Sequence, residues 1–513
     1  MGSQVNNRLS VNIVSSITVF VLGLCITFFL TPYIVDRLGA AAYGFVGLSN
    51  NIIGYTSLLT VALNSMAGRF VTLKYHKGEI EEANSYISSI LMANVALASF
   101  FLLCFITIAL FLPHFIDIPP ELESDVRALF MLLGISSCIG LLTGIVGVST
   151  FITNRLDLSN IRYLIGTILR TGTLLVAFGL FSPKLWYIGL AALILSLYII
   201  VTNIILMHRL TPDINIHYKK LDFRKVKEVT TAGAWNIITR LSGMLSRGFD
   251  LLFANIFVSA TAMGLLSITQ TIPFLLLSLF STVSSNFNPE LTRLYAVNDI
   301  ASMRSELIKS VKLCGFLSCV PLVAVFVFSD SFYQLWLPDQ DSELLYFLTM
   351  VAMIEMVIAT PLEPLWSIFT ITNNVKRSSL NLLANSVLSF SAILIVVVFV
   401  KSDIIKLFVL ASSRSIFSLF RNTTFLPISG AKCLGLPKTS FFGIIIKNVF
   451  NVVIVGMAAY MIKHTIFTQV TWLNLIGQLT ITLVVGLSIA SFTILNRNER
   501  IFLFDKIRTS IIK

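Results

Sequence analysis

The sequence predicts an all-α integral membrane protein of about 14 transmembrane helices, with two six-helix lobes around a central cavity and two extra C-terminal helices. Three observations lead there. Only 12% of the 513 residues are charged, 56% are hydrophobic and the mean hydropathy is +0.87, whereas an aqueous domain carries roughly a quarter charged residues. Apolar stretches of roughly 20 residues, enough to cross about 30 Å of hydrocarbon as a helix, recur along the whole chain. Lysine and arginine alternate between rich and poor loops, as the positive-inside rule requires. The 27 glycines and 14 prolines sit near average usage, which excludes collagenous and low-complexity classes. The net charge of +12 would suggest nucleic acid in a soluble protein. Loop asymmetry accounts for it here, and no nucleic-acid partner is expected.

The first stretch, Leu9 to Pro32, follows Arg8 and precedes Ala40 to Ala42, the layout of a signal peptide, but its length favours a retained first helix. Further helices are predicted to start near Phe45, Tyr86, Asp125, Ile161, Lys184, Val229, Ala262, Glu306, Leu344, Ser379, Asp403, Ser440 and Thr471. With both termini cytoplasmic, the inner segments hold 27 lysines and arginines. The outer loops hold only Arg37, Arg127, Lys184, Lys401, Lys406 and Lys463. One missed helix would invert every later loop, so a bias that persists argues for an even count. The outer loops are short, and some are acidic, as at Asp117 to Asp125 and Asp330 to Glu343, so no extramembrane domain fits there. Five of the six cysteines lie in apolar runs and read as small hydrophobes, with Cys433 in a basic loop.

The longest inner connection, Arg209 to Lys227, is basic and contains Pro212, which makes it the natural midpoint. An internal repeat supports that division. A shift of 220 lays Ala42, Tyr43, Gly44, Phe45, Leu48 and Ile52 over Ala262, Met263, Gly264, Leu265, Ile268 and Ile272, and Gly78 and Ile80 over Asn298 and Ile300. A shift of 219 lays Thr153, Asn154 and Ser159 over Thr372, Asn373 and Ser378. The expected organisation is therefore a six-helix lobe over 1–215, a second over 216–435, and two additional helices with a basic cytoplasmic tail over 436–513. Parallel repeats of this kind enclose a solute path and alternate its access, so transport is the leading function class.

Charges inside a bilayer are costly, which singles out the few that fall within predicted spans. They are Arg170 in the fifth, Arg240, Arg247 and Asp250 in the seventh, Glu355 and Glu363 in the tenth, and Arg414 in the twelfth. Arg240 and Arg247 are seven apart and share a helical face, and Asp250 lies three beyond Arg247. One reading is a cationic cavity wall of Arg170, Arg240, Arg247 and Arg414 that receives phosphate in guanidinium forks. The other is a set of structural pairs, Arg247 with Asp250 and Arg240 with Glu355 or Glu363. Glu355 and Glu363 flank Pro361, with Pro364 following, so the tenth helix is expected to break where its carboxylates sit. Asp250, Glu355 and Glu363 are candidates for binding a coupling ion, Na+ or H+, or acids neutralised by arginine neighbours. Pro273 and Pro321 are further expected hinges. Arg69, Arg155 and the Lys219 to Lys227 cluster read as topology determinants or guides for an anionic headgroup. Asn64, Asn94, Asn236, Asn255, Asn381 and Asn385 face either sugar hydroxyls or neighbouring helices.

No HExxH, paired CxxC, Walker lysine loop or GxSxG occurs, and the histidines lie near helix ends or in loops, so no catalytic centre, metal or cofactor is expected. Thr31-Pro32-Tyr33-Ile34-Val35-Asp36-Arg37-Leu38-Gly39-Ala40-Ala41-Ala42-Tyr43-Gly44 resembles the polysaccharide-biosynthesis flippases of the multidrug/oligosaccharidyl-lipid/polysaccharide superfamily. The segment Ser246-Arg247-Gly248-Phe249-Asp250, followed by Ala262-Met263-Gly264, and the inner loop Arg69 to Asn84 are similar to the same family. The resemblance implies an O-antigen or capsule type flippase with fourteen helices in two lobes. Such a protein carries a lipid-linked oligosaccharide, commonly on undecaprenyl pyrophosphate, to the outer leaflet of a bacterial cytoplasmic membrane. It would act among membrane lipids, glycosyltransferases and a polysaccharide polymerase. The acids of the seventh and tenth helices match no family-wide ion site. The alternatives are a multidrug/cation antiporter or a peptidoglycan-precursor flippase of the same superfamily, and a membrane glycan polymerase, which would need a larger outer loop.

Overall fold

The computed structural model describes residues 23, 25–55, 57–153, 155–216, 222–232, 234–372, 374–494 and 500. Every regular element among them is helical. The first helix, α1, covers residues 25–38 and ends at Gly39, whose φ of 86° reverses the chain. It is followed by α2 (Ala40–Gly54), α3 (Ser57–His76), α4 (Ile80–Phe115), α5 (Glu123–Val146), α6 (Val148–Ile152), α7 (Leu156–Leu180) and α8 (Trp186–Leu210). The middle of the chain forms α9 (Phe223–Ala232), α10 (Ala234–Arg247), α11 (Asp250–Phe257), α12 (Ala260–Ser285), α13 (Asn288–Ala296) and α14 (Ile300–Trp336). The remainder forms α15 (Ser342–Met353), α16 (Met356–Leu362), α17 (Pro364–Ile371), α18 (Val375–Phe399), α19 (Asp403–Thr423), α20 (Phe425–Cys433), α21 (Phe442–Thr465) and α22 (Trp472–Ile494).

Among the described residues nine helices are long and apolar enough to cross a membrane, ten when the bent pair α15 and α16 counts as one. The expected count of fourteen goes beyond this, for identifiable reasons. Most of the first predicted span lies outside the described residues. The second is interrupted at Tyr55, between α2 and α3, and the seventh is divided into α9, α10 and α11. The twelfth, α19, carries Asp403, Lys406, Arg414 and Arg421. Pro273 and Pro321, expected as hinges, lie inside the uninterrupted α12 and α14.

The repeat is written into the backbone. Helices α2 and α12 begin at Ala40 and Ala260, α4 and α14 at Ile80 and Ile300, each pair 220 apart. Helices α7 and α18 run Leu156–Leu180 and Val375–Phe399, 219 apart at both ends. Gly78 and Asn298, overlaid by the same shift, both take the left-handed conformation, with φ of 78° and 60°. Glycine adopts it freely and asparagine tolerates it, so either residue can make the turn. The turn places an acid before each following helix. The Lys74 ammonium donates to Glu79 at 2.6 Å and holds that carboxyl below its ordinary range. Asp299 accepts from the Ser302 amide at 3.0 Å, and this hydrogen bond lowers its own.

The chain divides into two compact units, Met1–Ser267 and Ile268–Lys513. In the first, a core cluster gathers Val71, Ala83 and Ile87. In the second, a cluster gathers Leu291, Met303 and Leu307, the same three positions shifted by 220. All six are buried from solvent. Within the first unit α2 and α12 cross at two glycines, the overlaid pair Gly44 and Gly264. A Cβ on Gly44 would stand 2.8 Å from the Gly264 amide nitrogen, and one on Gly264 would stand 2.1 Å from the Ala40 carbonyl oxygen. Small residues let helix backbones approach to this distance.

Gly264→Ala is expected to lower stability by about 1–3 kcal/mol, read as earlier thermal unfolding of the purified chain in detergent. Gly443→Ala, where a Cβ meets nothing within 4 Å, serves as the neutral control.

Candidate functional site

Two places in the fold concentrate polar chemistry, one in each unit, and both sit where a helix is broken. In the second unit α15 and α16 meet at a 42° bend around Ile354 and Glu355. Glu355 is 6% exposed. Helix α19 supplies what the bend lacks. Arg414 Nη2 donates to Glu355 Oε1 at 3.1 Å, and Ser415 Oγ donates to the Ala352 carbonyl at 2.5 Å. The carboxylate and the carbonyl at the bend are thereby both satisfied without water. A second break follows at Glu363, between α16 and α17, ahead of Pro364. Both carboxylates thus lie at breaks, as the prolines imply. Arg421, seven residues beyond Arg414 on α19, lies 5.1 Å over the Trp366 ring, and its Nε donates to Asn422 Oδ1 at 3.3 Å.

In the first unit the break between α2 and α3 faces the break between α10 and α11. The Tyr55 hydroxyl donates to the Gly248 carbonyl, and its ring stacks on Phe249 with centroids 5.5 Å apart. Asp250 opens α11 and is buried at 4% exposure. Asn255, further along α11, exchanges two hydrogen bonds with the Asp117 backbone, at 2.8 and 2.9 Å. Arg240 on α10 is exposed. Arg247 ends α10, but its side chain lies outside what the structure describes, and so does its expected pairing with Asp250.

Arg170 occupies a different setting, on α7. Its Nε is buried with no hydrogen-bond partner, and so is Nη1 of Arg162, two turns earlier on the same helix. Thr171, the next residue, lines an apolar cleft of about 450 Å³ between α1 and α7, walled also by Cys25, Phe29, Tyr33, Leu174 and Phe178. Tyr33 crosses the cleft and donates from its hydroxyl to the Phe178 carbonyl at 3.1 Å. The buried guanidinium nitrogens and the cleft thus lie on one helix, although neither arginine is among the residues that line the cleft; a guanidinium fork takes phosphate oxygens and an apolar slot takes hydrocarbon.

The alternatives left open by the sequence are now narrower. The partner of Glu355 is Arg414. Asn94 donates to Asn64 at 2.8 Å and Asn385 to the Phe417 carbonyl at 2.7 Å, so these asparagines, with Asn255, serve contacts between segments. The Asn236 side chain lies outside the description. In the basic inner cluster Lys225 pairs with Glu82 at 3.0 Å and lies over the Tyr86 ring, while 219–221 and the Arg69 side chain are outside the description. Arg421 and Lys432 lie on α19 and α20. The sequence reading missed Tyr55, Ser415, Arg421 and Trp366. Only Arg421 carried a signal, its seven-residue spacing from Arg414.

No protein-family model matches the chain. It is 30% identical over 434 residues to the "Uncharacterized membrane protein EpsK" of Bacillus subtilis (strain 168), covering 85% of each chain. Among solved structures it is similar to the Lipid II flippase MurJ in an inward closed conformation, with TM-score 0.64 and 15% identity over 94% of this chain and 98% of that one. It is also similar to an inward-facing multidrug resistance MATE family transporter of the MOP superfamily, with TM-score 0.60 and 13% identity over 80% of this chain and 94% of that one. At such identities the likeness establishes the fold, which is that of MOP superfamily transporters.

Arg414→Ala should destabilise the chain by about 3 kcal/mol, because it strands the Glu355 carboxylate in an apolar bend. The double variant Arg414→Met with Glu355→Leu should recover most of that loss in the same thermal-unfolding measurement, since no charge is then left unpaired.

Proposed function

We propose that this chain, which belongs to the family of the Bacillus subtilis membrane protein EpsK, is a flippase for a lipid-linked oligosaccharide. It carries a substrate of the undecaprenyl pyrophosphate type from the inner to the outer leaflet of the bacterial cytoplasmic membrane by alternating access, for surface polysaccharide biosynthesis. The observation that supports this reading most directly is the pair of buried guanidinium nitrogens without partners on α7, the helix whose later residues wall the apolar cleft against α1. A pyrophosphate supplies the missing acceptors and a polyprenyl chain fills the slot. Arg170, Arg240, Arg247 and Arg414 are the substrate-binding cations, with Arg414 held ready by Glu355. Asp250, Glu355 and Glu363 are the groups that would exchange Na+ or H+. The working partners are membrane lipids, the glycosyltransferases that build the substrate and the polymerase that consumes it. Two six-helix lobes, 1–215 and 216–435, carry the cycle, with 436–513 appended.

A second reading has a specific observation in its favour. The Lipid II flippase MurJ is matched over 94% of this chain against 80% for the MATE transporter. That coverage supports a lipid-linked cargo over a multidrug or cation antiporter, and admits a peptidoglycan precursor as the cargo.

Proteoliposomes loaded with a fluorescent lipid-linked oligosaccharide separate these readings. Flipping of the undecaprenyl-pyrophosphate oligosaccharide, and not of Lipid II, is expected from the intact chain. Arg170→Ala should slow it about tenfold or more, the loss of one charge-assisted contact. In cells, Arg240→Ala combined with Arg247→Ala should abolish surface glycan display at unchanged protein level. Full-rate flipping by the Arg170→Ala chain, or transport of Lipid II alone, removes the proposal.

A further inference from the structure

The two helices outside the repeat, α21 and α22, join through a loop that builds a pocket with the end of α14. The pocket measures about 180 Å³ and is lined by Gln334, His464, Phe467, Thr468, Gln469 and Thr471, among others. It is smaller than a site for a drug-sized ligand, which starts at about 300 Å³, and leaves room for a single ring. Its position is fixed from below. The buried Gln478 amide donates to three carbonyls, that of Lys463 in the last turn of α21 at 3.3 Å and those of Ile466 and Phe467 in the loop at 2.8 Å and 3.1 Å. Lys463 donates to both oxygens of Asp330 at 2.6 Å and to the Val327 carbonyl at 2.8 Å, tying α21 to α14.

Phe467 is the unusual residue. Its φ is 54°, a left-handed conformation that a bulky residue rarely adopts and that persists only where its surroundings hold it. The strained backbone delivers an aromatic ring onto a spot of α22 that has no side chain, Gly477. A Cβ on Gly477 would stand 3.3 Å from Phe467 Cε2, so the ring rests on Gly477. Yet Phe467 is 53% exposed, and its outer side stays uncovered. Amides and hydroxyls from Gln334, Gln469, Thr468 and Thr471 surround it. The pocket's ammonium is spent on Asp330 and Val327, all three of its protons committed, so an anion finds little there.

We infer that this pocket binds a neutral sugar ring, its C–H face stacked on Phe467 and its hydroxyls on the surrounding amides and hydroxyls. An aromatic face is electron-rich and receives the weakly positive hydrogens of such a ring. Gln and Thr side chains both donate and accept, which matches a polyhydroxylated ligand. The expected orientation puts this loop outside the membrane, where glycans are. The site is separate from the arginines of the proposed transport function and stands without them.

The test is saturation-transfer NMR on the full chain in lipid nanodiscs, with glucose, galactose and N-acetylglucosamine as probes and inorganic phosphate as competitor. Transfer to the ring protons of at least one sugar is expected, undiminished by phosphate. Phe467→Ala should weaken it about tenfold, and Phe467→Trp should retain it. Phe467→Gly relieves the backbone strain and keeps the loop, so its equal loss would show that the ring, and not folding, carries binding. Arg170→Ala should leave the signal unchanged, which lets this site and the transport reading fail separately. Absence of transfer from all three sugars, displacement by phosphate, or full signal from Phe467→Ala and Phe467→Gly overturns the inference.

Discussion

Inside hydrocarbon a backbone carbonyl has no water to turn to, so a helix can break there only where another segment fills the gap. This constraint organises the molecule. Tyr55 reaches the Gly248 carbonyl at the end of α10, and Ser415 reaches the Ala352 carbonyl at the end of α15. The same capping recurs at turns expected to face water, where Gln478 binds the Lys463, Ile466 and Phe467 carbonyls and Arg304 binds the Leu434 carbonyl at 2.6 Å. The buried acids sit at the helix breaks: Asp250 opens α11, and Glu355 stands at the bend after α15. Breaks and charges coincide because both need polar partners in a region that offers few, and one set of partners serves both.

The duplication repeats the scaffold and not the chemistry. Helix starts, the left-handed turn and the core positions recur at 219 or 220 residues. Shifted by 219, however, Arg170 falls on Ser389, and Arg414 falls back on Leu195. The helix crossing that holds Glu355 in the second unit has a counterpart between α5 and α8 in the first. There Ser136 stands where Glu355 would, and Ser196 where Ser415 would. Ser136 bonds Ser196 at 2.7 Å and the Ala192 carbonyl at 3.1 Å. One copy joins its helices with neutral hydroxyls and the other with an ion pair. The same backbone therefore supports two electrostatic environments.

Much of this was legible in the sequence, because hydropathy and loop charge report directly on the solvent a segment meets. Each described helix-start prediction falls on or near a helix, and the repeat was found from a few residues around Gly44 and Gly264. The break of the tenth predicted span followed from Pro361 and Pro364. What stayed hidden depends on contacts between segments far apart in the chain. Nothing local marks Tyr55 as the cap of a helix 193 residues away. No spacing rule assigns Arg414 rather than Arg240 to Glu355. The breaks at Gly248 and at Tyr55 carry no proline, so periodicity merged α10 with α11 and blurred α2 into α3. Apolar counting gives no end for α19, which runs through its charges to Thr423 with Arg421 in the last turn.

Pairing sorts the arginines by what they can do. Arg414, facing Glu355, is held in one geometry by its carboxylate partner, which fixes where its remaining donors can meet a substrate. Arg162 and Arg170 retain buried nitrogens without acceptors, a condition that is unfavourable in the empty protein and is relieved by an anion. The cleft between α1 and a later stretch of α7 is walled almost wholly by carbon and suits a hydrocarbon chain. A compact organic cation would meet repulsion from α7 and gain only the apolar wall. A free sugar phosphate would satisfy the guanidinium groups and leave the cleft to membrane lipid. A molecule with a phosphate at the end of a long hydrocarbon would use both, and that is the ground on which a lipid-linked cargo is proposed.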